Sequence, residues 1–566
     1  MCRKAFFIYF FSAQKKRRVR SPLRYLGQVQ SRSYADKHWK TIKMKKHHRL
    51  STPFDLFLGR ANEEKEQKKL LKFKVILIAF LAINPLLLET VGPFYTSIAM
   101  LLQFLFLLFR STIVYPAISG GLLVAEAIIL KLVTTEGIWH EWTASFDVFM
   151  LVLFMVAAVS FLKQFMTYMF VNLLVKVPNK VVLSFIICSL AAILSAFLDA
   201  LTVTAVLITV VGQLYDIVLN FRAGKSYGDS VGKYTDDELR EALGPQIQDY
   251  RQFLRSIMIH GLIGTALGGV MTMVGEPQNV MLVKIINTIL TQTDLPLWDF
   301  QTFFIRMLPV TLPTLLAGLT TTIILEKFKL FGFGKVMTSE EKEVIMEWRN
   351  QYIQSMNQTE RLSLMMQGVV ALLLVFMLIT HFAEVGLIGL VIIIFASATT
   401  GKKDEHDFVP AFEEGGPFLV VLGVLFAFVA MLHEQHTFMP AINFAATLGD
   451  HDQRNFFFGA SGVLSAISDN VFVAKIFMDA AIDMVKDGNL TLQEIKHLEN
   501  LTVSINAGTN IFSVFTPNGQ AAFLYFLMSA LAKKKLLMDW LGIFKMSLPY
   551  AVVMIATSLL CVMFLI

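Results

Sequence analysis

Two aspartates sit inside apolar stretches that would otherwise read as membrane segments. Asp199 lies within 181–219, and Asp469, followed by Asn470, lies within 455–483. A carboxylate at the centre of a bilayer costs about 2.5–3.5 kcal/mol on insertion scales, so such groups are kept for handling protons or ions. Two other stretches carry a proline among hydroxyls and amides: Thr272-Met273-Val274-Gly275-Glu276-Pro277-Gln278-Asn279 and Ser513-Val514-Phe515-Thr516-Pro517-Asn518-Gly519. Proline removes a backbone donor and clashes one turn back, which opens a helix and frees carbonyl oxygens. Unwound backbone at membrane depth is tolerated only where it lines a cavity or is buried in protein. Carbonyls, hydroxyls and a carboxylate are hard oxygen ligands, suited to a small alkali cation. Burial raises the pKa of an acid and a bound cation lowers it, so one carboxylate can exchange a proton for sodium.

Asp199 is the first choice for that exchange, with a structural hairpin cap as its alternative. Asp469 shares the role or yields it to Asn470. Glu276 is either a ligand or the group that satisfies an opened helix end. The remaining candidate ligands, at the breaks and hairpin tips, are Ser195, Thr202, Thr272, Gly275, Pro277, Asn279, Ser465, Ser468, Asn510, Ser513, Thr516, Pro517 and Asn518. Glu126 and Glu384, at near-equivalent places in the two halves, are either proton relays or packed structural acids. His260 reads as interfacial, and Lys163 and Arg306 as snorkelling side chains. Sodium and protons are the only ligands this pattern calls for, with no cofactor.

The elements that must position these groups are membrane helices. The chain has 566 residues, 55% hydrophobic and 16% charged, with a mean hydropathy of +0.59; an ordinary soluble domain is about 25% charged. Apolar runs near 20 residues recur, the length that crosses a hydrocarbon core of about 30 Å. Cys2, Cys188 and Cys561 are too scattered for a disulfide framework or a zinc site. The net charge of +7 is uneven. Residues 1–50 carry 15 Lys and Arg against the single acid Asp36, and the rest of the chain has a net charge of −7. The basic balance therefore belongs to a tail and does not describe a nucleic-acid surface. That tail (1–53) is either a targeting segment or an over-extended start, and Met44 is the preferred first residue.

Hydropathy predicts eleven crossings, at about 73–91, 94–112, 116–134, 145–170, 255–290, 302–325, 362–382, 384–400, 417–434, 500–531 and 540–566. The broken stretches at 181–219 and 455–483 read as re-entrant hairpins. Lys and Arg then collect in the loops on one side, at Lys176 and Lys180, Arg222 to Arg251, Lys327 to Arg361 and Lys533 to Lys535, which puts the N-terminus in the cytoplasm. The expected fold class is an all-α polytopic membrane protein with about 11 transmembrane helices and two re-entrant hairpins.

Self-similarity organises it. Leu194-Ser195-Ala196-Phe197-Leu198-Asp199 recurs 270 residues later as Leu464-Ser465-Ala466-Ile467-Ser468-Asp469, and Gly268 to Asn279 lines up with Gly508 to Gly519 at an offset of 240, Pro277 on Pro517. Leu308-Pro309 falls on Leu548-Pro549 at the same offset. Five crossings per half require inverted topology. The expected divisions are the extension 1–53, a lead-in and first helix (54–93), a first inverted repeat (94–326), a cytoplasmic linker (327–361) and a second inverted repeat (362–566). In such transporters the substrate and coupling ions sit near the midplane, where broken helices meet.

The segments 194–203, 265–279, 383–390, 468–473 and 516–524 resemble the NhaB sodium/proton antiporters, and the likeness runs from about Phe54 to the C-terminus. The resemblance implies the ion transporter superfamily, with a scaffold and a transport domain, hairpin tips facing broken helices, often a homodimer, and a functional acid at Asp199. It implies exchange of sodium, or lithium, for protons across a bacterial inner membrane, serving sodium extrusion and pH homeostasis. The rival on the same fold is a sodium-coupled dicarboxylate-type symporter, with arsenite efflux a weaker variant. Symporters of that kind usually carry Ser-Asn-Thr at both tips, whereas the first tip here reads Leu-Asp-Ala-Leu-Thr. A membrane structural or sensor protein would need no pair of broken helices. An enzyme would need a nucleophile–base or metal constellation, and none is read here.

Overall fold

The computed structural model describes residues 53–109, 116–198, 200–223, 243–244, 246–380, 382–401, 408–484 and 491–566. Side chains are described from Leu70 onward, apart from those of Phe109, Pro116, Pro410 and Glu414. The basic tail through residue 52 and Asp199 lie outside the described residues.

The described elements are helical throughout. The first group comprises α1 (Pro53–Val91), α2 (Pro93–Phe109), α3 (Pro116–Ile129), α4 (Thr135–Ala144), α5 (Phe146–Ser160) and α6 (Lys163–Lys176). Next come α7 (Lys180–Phe197), α8 (Ala200–Arg222), α9 (Gln248–Gly269), α10 (Pro277–Leu290) and α11 (Phe300–Phe328). The middle of the chain forms α12 (Ser339–Ser355), α13 (Gln358–Ile379), α14 (Val385–Thr400), α15 (Val409–Glu434) and α16 (Met439–Ala446). The last group is α17 (Asp450–Ser465), α18 (Asn470–Asp483), α19 (Leu492–Phe512), α20 (Ala521–Met528) and α21 (Trp540–Leu565).

Capping boxes open α12, α13 and α19, pairing Thr338 with Glu341, Asn357 with Glu360 and Thr491 with Glu494. Each box satisfies two orphan N–H groups, so these helix starts are specified locally. Among the described residues seven helices are long and apolar enough to cross a membrane, or eight if α4 and α5, bent by 62°, make one span. Pro93–Leu108, Ala117–Ile129 and Val385–Thr400 are shorter apolar helices. The multi-pass, all-α membrane class follows from these lengths and compositions.

Several sequence expectations change. The stretch 145–170 is not one continuous helix: it holds a π turn at Leu151–Met155 and a break after Ser160. Gly415 of α15 packs on the Val152 carbonyl inside that turn. The stretches 255–290 and 500–531 are each two helices with a loop between them. Pro277 is the first residue of α10, so it opens a helix where its missing N–H costs nothing. Pro517 lies in the loop between α19 and α20.

α7 and α9 pack side by side and run in the same direction. Lys180 touches Ser256, and Gly264 and Gly268 lie against the carbonyls of Cys188 and Ala192. α8 runs back along α9, with Leu207 over Gly261 and the Tyr250 hydroxyl on the Leu214 carbonyl. It therefore returns to the end from which α7 started. The second half repeats the arrangement. Gly508 lies on the Phe458 carbonyl, Phe512 covers Gly462, and α18 returns with Asn470 beside Thr509 and Met478 beside Thr502.

The two units run in opposite directions. α9 and α10 lead from the end holding Lys180 to the end where Trp298 bonds Asn287. There Trp298 and Arg306 hold Glu499, near the start of α19. α19 and α20 run the other way, toward Leu536, whose carbonyl accepts from Arg255 near the start of α9. α10 packs on α18, α8 packs on α20, and α11 packs on α21.

This packing corrects the register of the second repeat. Thr272 donates to the Ala196 carbonyl as Thr516 donates to that of Ala466. α10 opens at Pro277 where α20 opens at Ala521. The true match of the break runs four residues past the one read from the sequence, so Pro277 does not fall on Pro517. The shared glycines and prolines had allowed a shorter alignment.

The remaining helices form a second layer around α15, which packs on α3, α4 and α5. Asn84 of α1 donates to Glu126 of α3 at 2.6 Å and exchanges bonds with Gln103 of α2 at 3.0 and 2.7 Å. Each polar group of this buried trio has a partner, so the cost of taking it out of water is met.

Candidate functional site

The second hairpin tip is built by its own sequence. α17 ends at Ser465, and Ala466 to Asp469 turn the chain. Asp469 is the N-cap of α18, and its Oδ1 accepts from the N–H groups of Val471 at 2.9 Å and Phe472 at 3.4 Å. The positive end of the helix favours the carboxylate there. Asp469 also lines a cavity of about 750 Å³ with Thr202 of α8, Glu413 of α15, Asn518, Tyr525 and Leu108 of α2. The Asp469 carboxylate thus borders a space lined by helices of both layers.

Asn470 ties the tip to the facing break. Its amide nitrogen, turned toward the acceptors around it, donates to the carbonyls of Gly519 at 2.9 Å and Thr509 at 3.3 Å, with Ser465 Oγ at 2.5 Å. Ser465 Oγ donates to the Thr509 carbonyl at 2.8 Å, and Thr516 to that of Ala466 at 2.5 Å. Ser513 donates to the Asn510 carbonyl at 2.6 Å. Gly519 has the Ser465 and Ser513 carbonyl oxygens 2.7 Å from where a Cβ would sit, so no side chain fits there.

The first half shows the same clamp. Ser195 Oγ donates to the Thr265 carbonyl at 2.9 Å, and Thr272 to that of Ala196. Gly275 has the Gly269 carbonyl oxygen 2.5 Å from a Cβ position, again leaving no space. Asn279 Nδ2 donates to the carbonyls of Gly269 and Thr272, both at 2.7 Å, so two acceptors freed by the opened helix are taken by one amide. Removing that amide strips the buried Gly269 carbonyl of its donor, at about 1–3 kcal/mol, and leaves the Thr272 carbonyl with only the Gly275 N–H at 3.3 Å. Asn279→Ala is therefore expected to lower the melting temperature of the purified protein in detergent by several degrees; an unchanged temperature would show that the loop holds without it.

A polar chain joins the two breaks. Gln278 Nε2 donates to Asn510 Oδ1 at 2.8 Å, and Asn510 Nδ2 donates to the backbone carbonyl of Asn506 at 2.9 Å and to its side-chain oxygen at 3.0 Å. Gln520 Nε2 donates to Glu276 Oε1 at 3.4 Å. Among the described residues, buried oxygens at the tips and breaks without a hydrogen-bond partner include Gln278 Oε1, Asn279 Oδ1, Gln520 Oε1 and Ser468 Oγ. Two of the amide orientations are fixed by backbone carbonyls, which can only accept. Asn279 donates to two such carbonyls; Asn510 donates to one, and so presents its oxygen to Gln278. The unpartnered atoms of Asn279 and Gln278 are therefore oxygens, the donor type a cation needs. A buried polar atom without a partner in a native fold calls for a ligand, water or ion.

The other expected residues are placed as follows. Asp199 lies outside the described residues; the helices on either side end at Phe197 and begin at Ala200. Asn518 donates to the Leu108 carbonyl and accepts from Trp540, both at 2.8 Å, which binds the break to α2 and α21. Glu126 belongs to the amide trio of the outer layer. Glu384 is the exposed N-cap of α14. His260 is fully buried, so the interfacial reading fails. Gln278, Asn506, Gln520 and Glu413 were not singled out from the sequence. Asn506 lies one turn before Asn510, a spacing that puts both on one helix face, and Gln520 directly follows the second break.

The family model for bacterial Na+/H+ antiporter B (NhaB) matches residues 64–566. The chain belongs to the NhaB family. The Na(+)/H(+) antiporter NhaB of Marinomonas sp. (strain MWYL1) is 40% identical over 490 residues, 87% of this chain and 95% of the relative. The protein of that name from Marinobacter nauticus is 41% identical over 483 residues, covering 85% and 94%. That from Citrobacter koseri is 41% identical over 496 residues, covering 87% and 92%. The NhaB match includes both hairpins and both breaks, so the site lies wholly within the shared region.

Proposed function

We propose that this NhaB-family chain exchanges sodium for protons, as the names of its relatives describe, and does so by alternating access. The observation that carries the reading is the set of unpartnered buried oxygens beside the carboxylates. Oxygens suit a cation, whereas an anion would require donors. Asp199 and Asp469 bind sodium and protons in competition, Glu276, Asn470 and the break residues complete the site, and the cavity beside Asp469 gives access. The two opposed units act as inverted repeats across the membrane. The ends of α6, α8 and α11, the start of α9 and the turn before α21 bear Lys176, Arg222, Lys327, Arg251 and Lys533 to Lys535, so that face is cytoplasmic by the positive-inside rule. The membrane is a bacterial inner membrane, the N-terminus is cytoplasmic, and a homodimer follows from the family resemblance alone.

The test is sodium addition to everted vesicles holding an imposed pH gradient, without organic anion. Sodium should dissipate the gradient in vesicles that contain the protein and leave it intact in vesicles that lack it. A gradient that collapses only when a dicarboxylate is supplied would replace antiport with symport.

A further inference from the structure

A second group of ionisable side chains is buried far from the tips. Glu326 of α11 has no exposed side-chain surface, and its Oε1 lies 3.0 Å from Lys180 Nζ of α7 and 2.7 Å from His260 Nε2 of α9. Lys180 also donates to Ser184 at 3.0 Å and Ser256 at 2.8 Å, with the Phe253 ring 4.6 Å from its nitrogen. The Gly334 N–H donates to Glu326 Oε2 at 2.9 Å, and Phe333 stacks on the His260 ring at 4.8 Å. Beyond His260 the contacts continue: Nδ1 to the Tyr550 hydroxyl of α21 at 2.8 Å, that hydroxyl to Thr322 Oγ1 at 2.9 Å, and Thr322 to the Gly318 carbonyl at 3.2 Å. Ionisable groups inside membrane segments are costly and mark ion or proton handling by default.

Counting protons along this chain gives two states. The Gly318 carbonyl can only accept, so Thr322 donates to it. Tyr550 must then donate to Thr322, and His260 Nδ1–H to Tyr550. The 2.7 Å contact between His260 Nε2 and Glu326 then needs a proton of its own. Without that proton, two lone pairs face each other. The relief is the other imidazole tautomer. Nε2–H donates to Glu326, Tyr550 donates to Nδ1, Thr322 donates to Tyr550, and the Gly318 bond is lost. One proton therefore sets the direction of the bonds from His260 Nδ1 to Thr322 and decides whether the Gly318 bond is made. Gly318 lies against Leu267, two residues before α9 ends at the first break.

We propose that His260 and Glu326, held by Lys180, are a second proton-binding site that faces the cytoplasm and sets the pH range of exchange. This rests on the antiport reading above. The site is separate from the ion site, because His260 is nine residues from the end of α9, about 13 Å at 1.5 Å per residue. It is also one-sided. The positions that match Lys180, His260 and Glu326 in the second half are Asp450, Ser504 and Ile566, which form no such group. The groups facing His260 are Lys180 from α7, Glu326 from α11 and Tyr550 from α21. Cys188 of α7 lies beyond Tyr550. Tyr215 of α8 turns to Arg251, and Arg255 is held by the Leu536 carbonyl.

The test is sodium-dependent exchange against pH in everted vesicles for wild type, Tyr550→Phe and His260→Gln. Both variants should move the pH of half-maximal exchange by about one unit, with the sodium KM at the optimum within about twofold of wild type. A merely structural role would lower turnover at every pH without moving the profile, and superimposable profiles overturn the proposal. Should His260→Gln fail to fold, Tyr550→Phe removes only a hydroxyl and decides. Imidazole 15N shifts of the full wild-type chain in nanodiscs give a second reading. The His260 signal, assigned by its displacement in Tyr550→Phe, should titrate across the pH interval in which exchange changes, and a fixed signal overturns the site. Wild-type vesicles without sodium–proton exchange would instead remove the antiport reading itself.

Discussion

Asp469→Asn is expected to reduce sodium–proton exchange to background in a protein that still folds and inserts, and Asp199→Asn to do the same. The argument for Asp469 separates its two tasks. As an N-cap it offers Oδ1 to the N–H groups of Val471 and Phe472, and asparagine is as good a cap as aspartate. As a carboxylate on the cavity it supplies the negative charge that a cation and a proton compete for, and asparagine supplies none. Losing one partner of a buried charge pair costs about 2 kcal/mol or more, which is about thirtyfold in sodium affinity. Loss of this titrating group removes a proton-binding position as well. Asp469→Ala loses the cap in addition, at about 1 kcal/mol of stability, so its melting temperature should fall below that of Asp469→Asn while both lack exchange. The measurements are sodium-driven collapse of a pH gradient in vesicles and thermal unfolding in detergent. Wild-type turnover in both asparagine variants would remove the carboxylates from the site.

The same separation explains what could be read from the chain alone. Asp469 and the proline breaks were legible because each violates the composition of a membrane helix, and a violation is visible in one residue. The repeat was legible at the tips, where Leu-Ser-Ala recurs unchanged. It misled at the breaks because the clamp needs only a hydroxyl and a small residue: Thr272 with Gly275, and Thr516 with Gly519. A shared Pro is incidental to that geometry, and Pro277 serves instead as the first residue of α10. The hydrogen-bonded chain of Gln278, Asn510 and Asn506 was hidden because amides are common in loops, and only packing shows which of them are buried. Lys180, His260 and Glu326 were hidden for another reason. They lie on three helices, 80 and 66 positions apart along the chain, and nothing in the sequence alone says that they meet. The NhaB likeness extends over all of these residues, but likeness of sequence does not say which of them meet.

Gly268→Ala is expected to be the most destabilising single-methyl change in the first half, and to stop exchange by displacing the tip without touching a ligand. A Cβ at Gly268 would overlap the Ala192 carbonyl, and one at Gly264 would overlap that of Cys188, so α7 and α9 are in backbone contact along a small-xxx-small face. The second half reaches the same separation by the opposite choice, with Phe512 of α19 lying over Gly462 of α17. Each interface thus has one glycine where the other has a larger residue, and neither can take a methyl on the glycine side. Overpacking of this kind costs about 1–3 kcal/mol. The displaced atoms include the Ser195–Thr265 and Thr272–Ala196 bonds that hold the first tip against its break. Gly459→Ala is the control. Nothing lies within 4 Å of a Cβ at that position, so the change should be neutral or stabilising by up to about 1 kcal/mol through helix propensity. Thermal unfolding and vesicle exchange, measured on both variants, should place them on opposite sides of wild type in stability. Equal melting temperatures for the two would mean that α7 and α9 can part without cost, and the backbone contact would then not be what aligns the tip with the opened helix.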